Sequence, residues 1–148
     1  MLFEALDSNA KYVYFRNFKG IKNWGDTSAL IADYLKARIK SNDYIYIVNQ
    51  VPIVYFLTDA KIPTRYAFLP FLMIQDDLPN ITGVNPPEEL ERILQKQPVY
   101  VVKLKTYPPN FANKNKIFLN KLNQTLDNSY QREISIDGLD LYRLNPKP

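Results

Sequence analysis

Histidine and cysteine are absent from all 148 residues. Their absence excludes zinc sites of the usual kind, disulfides, iron–sulfur ligation, cysteine nucleophiles and every triad that needs an imidazole. Glycine is scarce, at four residues, and none of them sits in a phosphate-cradling loop. No apolar run approaches the roughly 20 residues of a spanning helix; the most apolar stretch, residues 67–74, is far shorter. The start Met1-Leu2-Phe3-Glu4 lacks the basic region and long apolar core of a secretory signal. Either a cytoplasmic protein or a piece of a larger chain is expected, and the missing cysteines fit both compartments.

What is present is the composition of one globular domain. The chain is 46% hydrophobic and 23% charged, and at this length it buries roughly 70% of the surface its unfolded form exposes. The net charge of +4, from 19 basic and 15 acidic residues, is mild. The segment Lys11-Tyr12-Val13-Tyr14-Phe15-Arg16-Asn17-Phe18-Lys19 interleaves rings and cations, but it is short and single. No nucleic-acid partner is expected. Eleven tyrosines and eight phenylalanines suit interfaces with sugars, partners or headgroups; packing in a β-rich core accounts for much of the same count.

Along the chain, residues 1–25 read as a lead-in and 26–145 as a single α/β domain. A helix is predicted at about 27–40, capped by Asp26 or Thr27, with Leu30, Ile31, Tyr34, Leu35 and Ile39 at helical spacing. Residues 44–48 form an unalternated β-branched and aromatic run, as in a strand covered on both faces. Pro52 opens a short helix through Leu57, and 65–68 reads as a second strand. An irregular connection spans 70–84. Asn85-Pro86-Pro87-Glu88 is a strong helix start, Gln97-Pro98 stops that helix, and 99–104 is another buried strand. A helix at about 114–127 precedes a hairpin around Asp137-Gly138. This order predicts a three-layer α/β/α sandwich with a mixed, mainly parallel sheet of about five strands ending in an antiparallel hairpin.

The chemistry-bearing residues are few. Asp76-Asp77 reads as a solvated loop pair, and Glu88, Glu89 and Glu91 suit the favourable field at a helix start. No catalytic residue, metal site or cofactor is expected. Arg65, after Pro63-Thr64, either projects toward an anionic group such as phosphate or satisfies local carbonyls and acids. Asn49, at a strand end, either bonds a ligand or holds the turn. Tyr55 and Phe56 read first as core.

Asp43-Tyr44-Ile45-Tyr46-Ile47-Val48-Asn49, then Pro52-Ile53-Val54-Tyr55-Phe56-Leu57-Thr58 and Lys61-Ile62-Pro63-Thr64-Arg65-Tyr66, form a block. It resembles the soluble extracytoplasmic domain of membrane-embedded glycosyltransferases that use polyprenyl-phosphate sugars, the protein mannosyltransferase and aminoarabinose transferase superfamily. A closing Leu141-Tyr142-Arg143 extends the resemblance over roughly residues 24–144. Val48-Asn49 stands where that family often has Trp-Gly, and Asp59-Ala60-Lys61 where it has Gly-Arg. The resemblance implies a non-catalytic domain on the periplasmic or cell-surface side, covering the membrane active site, with acceptor selection as a further role. Its partners would be the transmembrane catalytic portion of the same polypeptide and the polyprenyl-phosphate sugar or acceptor. Candidate ligand contacts are Asn49, Tyr55, Arg65 and Tyr66. Phe71, Leu72 and Met73 are candidate docking side chains, because Pro70 interrupts pairing in the run 67–74 and several of its side chains are expected to be exposed or mobile. The competing expectation is a free-standing cytoplasmic α/β module that binds a small anion or nucleotide.

Overall fold

The computed structural model describes residues 26–48, 51–67, 72–73 and 82–146, with residue 17 alone before them. In chain order the elements are α1 (Thr27–Lys36), β1 (Ile45–Ile47), α2 (Ile53–Thr58), α3 (Pro86–Gln95), β2 (Tyr100–Leu104), α4 (Pro109–Lys114), α5 (Lys116–Ser129), β3 (Tyr130–Ile136) and β4 (Leu139–Leu144).

The helix boundaries follow local chemistry. The Asp26 carboxylate accepts the Ala29 N–H at 3.0 Å and starts α1. This helix stops at Lys36, short of the expected 40: the N–H groups of Arg38 and Ile39 both return to the Leu35 carbonyl, and Asp43 Oδ2 accepts the Lys40 N–H at 2.8 Å. Asn85 caps α3 by accepting the Glu88 N–H, and its amide donates back to Glu88 Oε1 at 3.2 Å. The expected single helix at 114–127 is two helices. Asn115 ends α4 and opens α5, and its buried amide donates to the Phe111 carbonyl at 3.0 Å.

The strands form a mixed, open sheet in the order β1-β2-β4-β3. Among the described strands β1–β2 pair in parallel, whereas β2–β4 and β3–β4 are antiparallel, which corrects the expectation of a mainly parallel sheet. The cause is the closing hairpin, which places β4 between β3 and β2. Its turn is as predicted: Asp137 (φ 47°) and Gly138 (φ 79°) are both left-handed, and the Gly138 carbonyl accepts the Lys105 N–H just beyond β2.

The predicted strand at 65–68 does not form over its described residues, 65–67. Thr64 Oγ1 takes the Tyr66 N–H at 3.1 Å, a local bond that diverts the backbone from a ladder. The outer edge of β1 is satisfied by other means. A lone parallel bridge joins Tyr44 to Lys61, the Lys61 carbonyl accepts the Ile45 N–H, and the Tyr55 hydroxyl accepts the Ile47 N–H at 2.9 Å.

Two buried clusters use alternate residues of the same strands. One joins Ile45, Ile47, Tyr100, Val102, Leu139 and Leu141 to Ile31 and Leu35 of α1 and Val54 and Tyr55 of α2. The other joins Tyr46, Val48 and Val101 to Leu90 and Ile93 of α3 and Phe118, Leu122 and Leu126 of α5. Leu72 and Met73 belong to this second cluster and are 2% and 0% exposed. The expectation that they are exposed docking side chains is therefore corrected: they are core packing, where apolar burial stabilises the fold. Phe71 lies outside the described residues.

Candidate functional site

The Lys61–Tyr66 loop follows α2 and contacts both the edge of β1 and α3. Pro63 and Thr64 are buried. The Thr64 hydroxyl donates to Glu89 Oε1 of α3 at 2.7 Å while accepting the Tyr66 N–H. Glu89 is itself buried, and its other oxygen accepts from Arg92 at 3.3 Å. At the C-cap of α3, Lys96 Nζ donates to the Pro63 carbonyl at 2.7 Å. The loop is thus fixed to one helix by a buried hydroxyl–carboxylate bond and a lysine–carbonyl bond.

Three exposed cations belong to this loop or reach it. The Lys61 and Lys96 ammonium groups lie 5.9 and 5.4 Å from the Tyr44 ring, and the Arg65 guanidinium lies 4.9 Å from the ring of Tyr66. All three residues are exposed. Among the described residues their partners are rings and a carbonyl, and none meets a carboxylate. Cations held over aromatic faces keep their full charge for an incoming anion. The Arg65 fork matches a phosphate or carboxylate bidentately, and the two lysines add point charges.

Of the expected ligand contacts, Arg65 and Tyr66 occur here together. Tyr66 is half-buried against the α3–α5 cluster and supports the arginine with its ring. Tyr55 does not belong to the site: it is 4% exposed, and its hydroxyl is spent on the Ile47 N–H, so its role is to close the sheet edge. Burial raises its pKa, despite the opposing backbone bond. Asn49 lies outside the described residues. Lys61, Lys96 and Tyr44 escaped the sequence reading. A lysine on a helix's last turn gives no sign that it will reach a carbonyl 33 residues earlier.

Two other polar groupings are self-contained. Glu133 falls at the irregularity between Arg132 and Ile134 in β3, and such a bulge re-aims a side chain. Its Oε2 accepts from both Tyr34 (2.8 Å) and Tyr100 (2.7 Å), and its Oε1 accepts from Arg143 (3.2 Å). Burial works to raise its pKa, but the bonds from Tyr100, Tyr34 and Arg143 outweigh it and hold the carboxyl below its ordinary value. Arg38 covers the Tyr34 ring at 3.7 Å. On β2, Lys103 is buried, donates to the Leu104 carbonyl at 3.1 Å and faces the rings of Tyr107 and Tyr142. Burial lowers its pKa against the opposing pull of Asp140 and Asp127. Asp140, its cross-strand partner, accepts from Ser135. Both groupings lock elements together and leave little for a ligand.

A cleft of about 680 Å³ lies between residues 83–87 and 113–118. The side chains of Asn85 and Asn115 on its wall already serve α3 and α4. Among the described residues no group of acidic side chains is arranged to hold a metal ion, and no helix is long and apolar enough to cross a membrane. No protein-family model, curated protein or solved structure matches the chain.

Proposed function

We propose that this chain is a non-catalytic extracytoplasmic domain of a membrane-embedded glycosyltransferase that uses a lipid-phosphate sugar. In this reading the Lys61–Tyr66 loop meets the phosphate of the donor or of a charged acceptor, and the domain covers the membrane active site. One observation carries the reading. The Pro63-Thr64-Arg65-Tyr66 element, part of the block that carries the sequence resemblance, is pinned to α3 by Thr64 and Glu89 and exposes Arg65, which like Lys61 and Lys96 meets no carboxylate among the described residues. A three-layer α/β/α arrangement belongs to the same proposal, supported by helices packing on alternate residues of β1 and β2.

A titration of the isotope-labelled chain with a short isoprenyl phosphate, the matching isoprenol and inorganic phosphate tests this. Amide shifts are expected around Lys61, Arg65, Tyr66 and Lys96 with the isoprenyl phosphate, absent with the alcohol and lost in Arg65→Ala. Shifts confined to the 83–87 and 113–118 cleft overturn the reading. Equal affinity for inorganic phosphate favours the competing reading, a free-standing module for small anions, because the isoprenyl tail then contributes nothing. In a parallel assay the isolated chain is expected to transfer no sugar from a panel of lipid-phosphate donors; reproducible transfer refutes the non-catalytic role.

A further inference from the structure

The cleft between the start of α3 and the α4–α5 junction, about 680 Å³ in volume, lies in the size range of small-molecule sites. Val84, Pro86 and Pro87 line it from one segment and are half-buried, while Ile117 lines it from the other and is 74% exposed. An exposed isoleucine alone is ordinary; this one shares a cleft with a valine and two prolines. The charge of the lining is one-sided. Lys114 and Lys116 both line the cleft, and among the described residues no aspartate or glutamate does. Glu88, just beyond the lining in sequence, accepts from the Asn85 amide. Lys114 suits the last turn of α4. Lys116 has no such explanation: it is the first residue of α5, whose first turn holds no acid, and a cation there opposes the helix field. A local preference broken on a cleft wall marks a residue kept for something other than folding.

We propose that this cleft binds a small amphiphilic carboxylate, its head meeting Lys114 and Lys116 and its apolar body lying along Pro86, Pro87 and Ile117. Charge complementarity selects an anion, and the apolar wall selects its body. With two point charges and no arginine among the lining residues, a singly charged head is matched better than one that needs a guanidinium fork. The walls are fixed before a ligand arrives. Two prolines hold the first turn of α3, and the Asn85 side chain both donates to and accepts from Glu88. The buried Asn115 amide is tied to the Phe111 carbonyl. Farther along the two helices, Lys121 of α5 pairs with Glu91 of α3. Binding therefore costs little ordering of the protein. The cleft shares no residue with the Lys61–Tyr66 loop, and this inference does not rest on the proposed function.

Amide shifts of the isotope-labelled full chain, titrated separately with octanoate, octanol and acetate, test the proposal. Octanoate should shift residues 83–87 and 113–118 and bind at least about tenfold more tightly than acetate, because its tail buries apolar surface. It should exceed octanol by about threefold or more, and this margin should shrink in high salt. Lys116→Gln should erase most of the margin without lowering the melting temperature, since it removes a cation from the start of α5. Ile117→Ser should weaken octanoate and octanol alike. Equal affinity for octanol or for acetate, octanoate shifts spread over other surfaces, or binding that ignores Lys116→Gln overturns the proposal. So does self-association that Ile117→Ser abolishes, which would make a second copy the occupant. If octanoate leaves the cleft unshifted while isoprenyl phosphate still shifts Arg65, this inference alone falls.

Discussion

Two regions of the molecule are each organised around one glutamate, and they spend charge in opposite ways. Glu133, at the bulge in β3, takes two tyrosine hydroxyls and an arginine on its two oxygens, and that grouping is closed. Glu89, on α3, takes the Thr64 hydroxyl and Arg92, and by doing so fixes a loop whose cations meet no carboxylate among the described residues. The chemistry of the two carboxylates is similar. What differs is whether the surrounding cations are consumed, and that difference separates a structural lock from a surface able to receive an anion.

The comparison breaks most visibly at Thr64→Val. The substitution keeps the volume but removes a buried hydroxyl that donates to Glu89 and accepts from Tyr66, leaving a carboxylate oxygen and an N–H without that partner. The expected loss is about 2–3 kcal/mol in chemical denaturation, together with loss of isoprenyl-phosphate shifts at Arg65. Unchanged shifts in the folded variant would mean that the loop does not need its anchor.

Glu133→Ala should cost less, about 1–2 kcal/mol, because the side chain keeps 22% of its exposure and solvent takes up part of the loss. Anion binding at the loop should be unaffected. A weakened Arg65 response in this variant would show the two regions to be coupled.

Acid sharpens the same contrast. The Glu133 carboxyl is held below its ordinary value, so below about pH 5 the unfolded chain binds the extra proton first and stability falls as pH drops toward the folded value. Above that window its contribution is fully present. Glu133→Gln should flatten this part of the stability–pH curve in thermal melts between pH 3 and 6; a parallel curve would show that the bonds from the tyrosines and Arg143 do not distinguish the protonation states.

Much of the fold is legible in the sequence because its signals are local. Asp26 and Asn85 act as caps within three residues of themselves, and Asp137-Gly138 defines its own turn. The misread elements depend on partners distant in the chain or on competition between two local bonds. Residues 65–67 have the composition of a strand, yet one threonine oxygen diverts the backbone. The outer edge of β1 is instead met by the Tyr55 hydroxyl and the Lys61 carbonyl. The apolar run containing Leu72 and Met73 looks exposed when Pro70 is read alone, but the α3–α5 cluster buries both side chains. Arg65 was legible as a candidate anion contact; its companions were not, since Lys96 reaches Pro63 only through the folded packing of α3.

Arg65→Ala is the smallest perturbation of the fold and the most discriminating for the proposed site. Arg65 is exposed, makes no ion pair among the described residues and stacks only on the adjacent Tyr66 ring. Exposed cation–ring contacts contribute about 0.5–1 kcal/mol, and the ordering of a long side chain offsets much of that. The expected change in stability is therefore within about 0.5 kcal/mol. Phosphate recognition should respond far more, because a bidentate guanidinium bond to an anion has no substitute on the loop once the fork is gone. Arg65→Lys separates charge from geometry: retained charge with a lost fork should recover the salt dependence of binding but only part of the affinity. If Arg65→Ala destabilises the chain by more than about 1 kcal/mol, the side chain is a structural element like Arg143. The contrast between a closed and an open charge cluster would then fail.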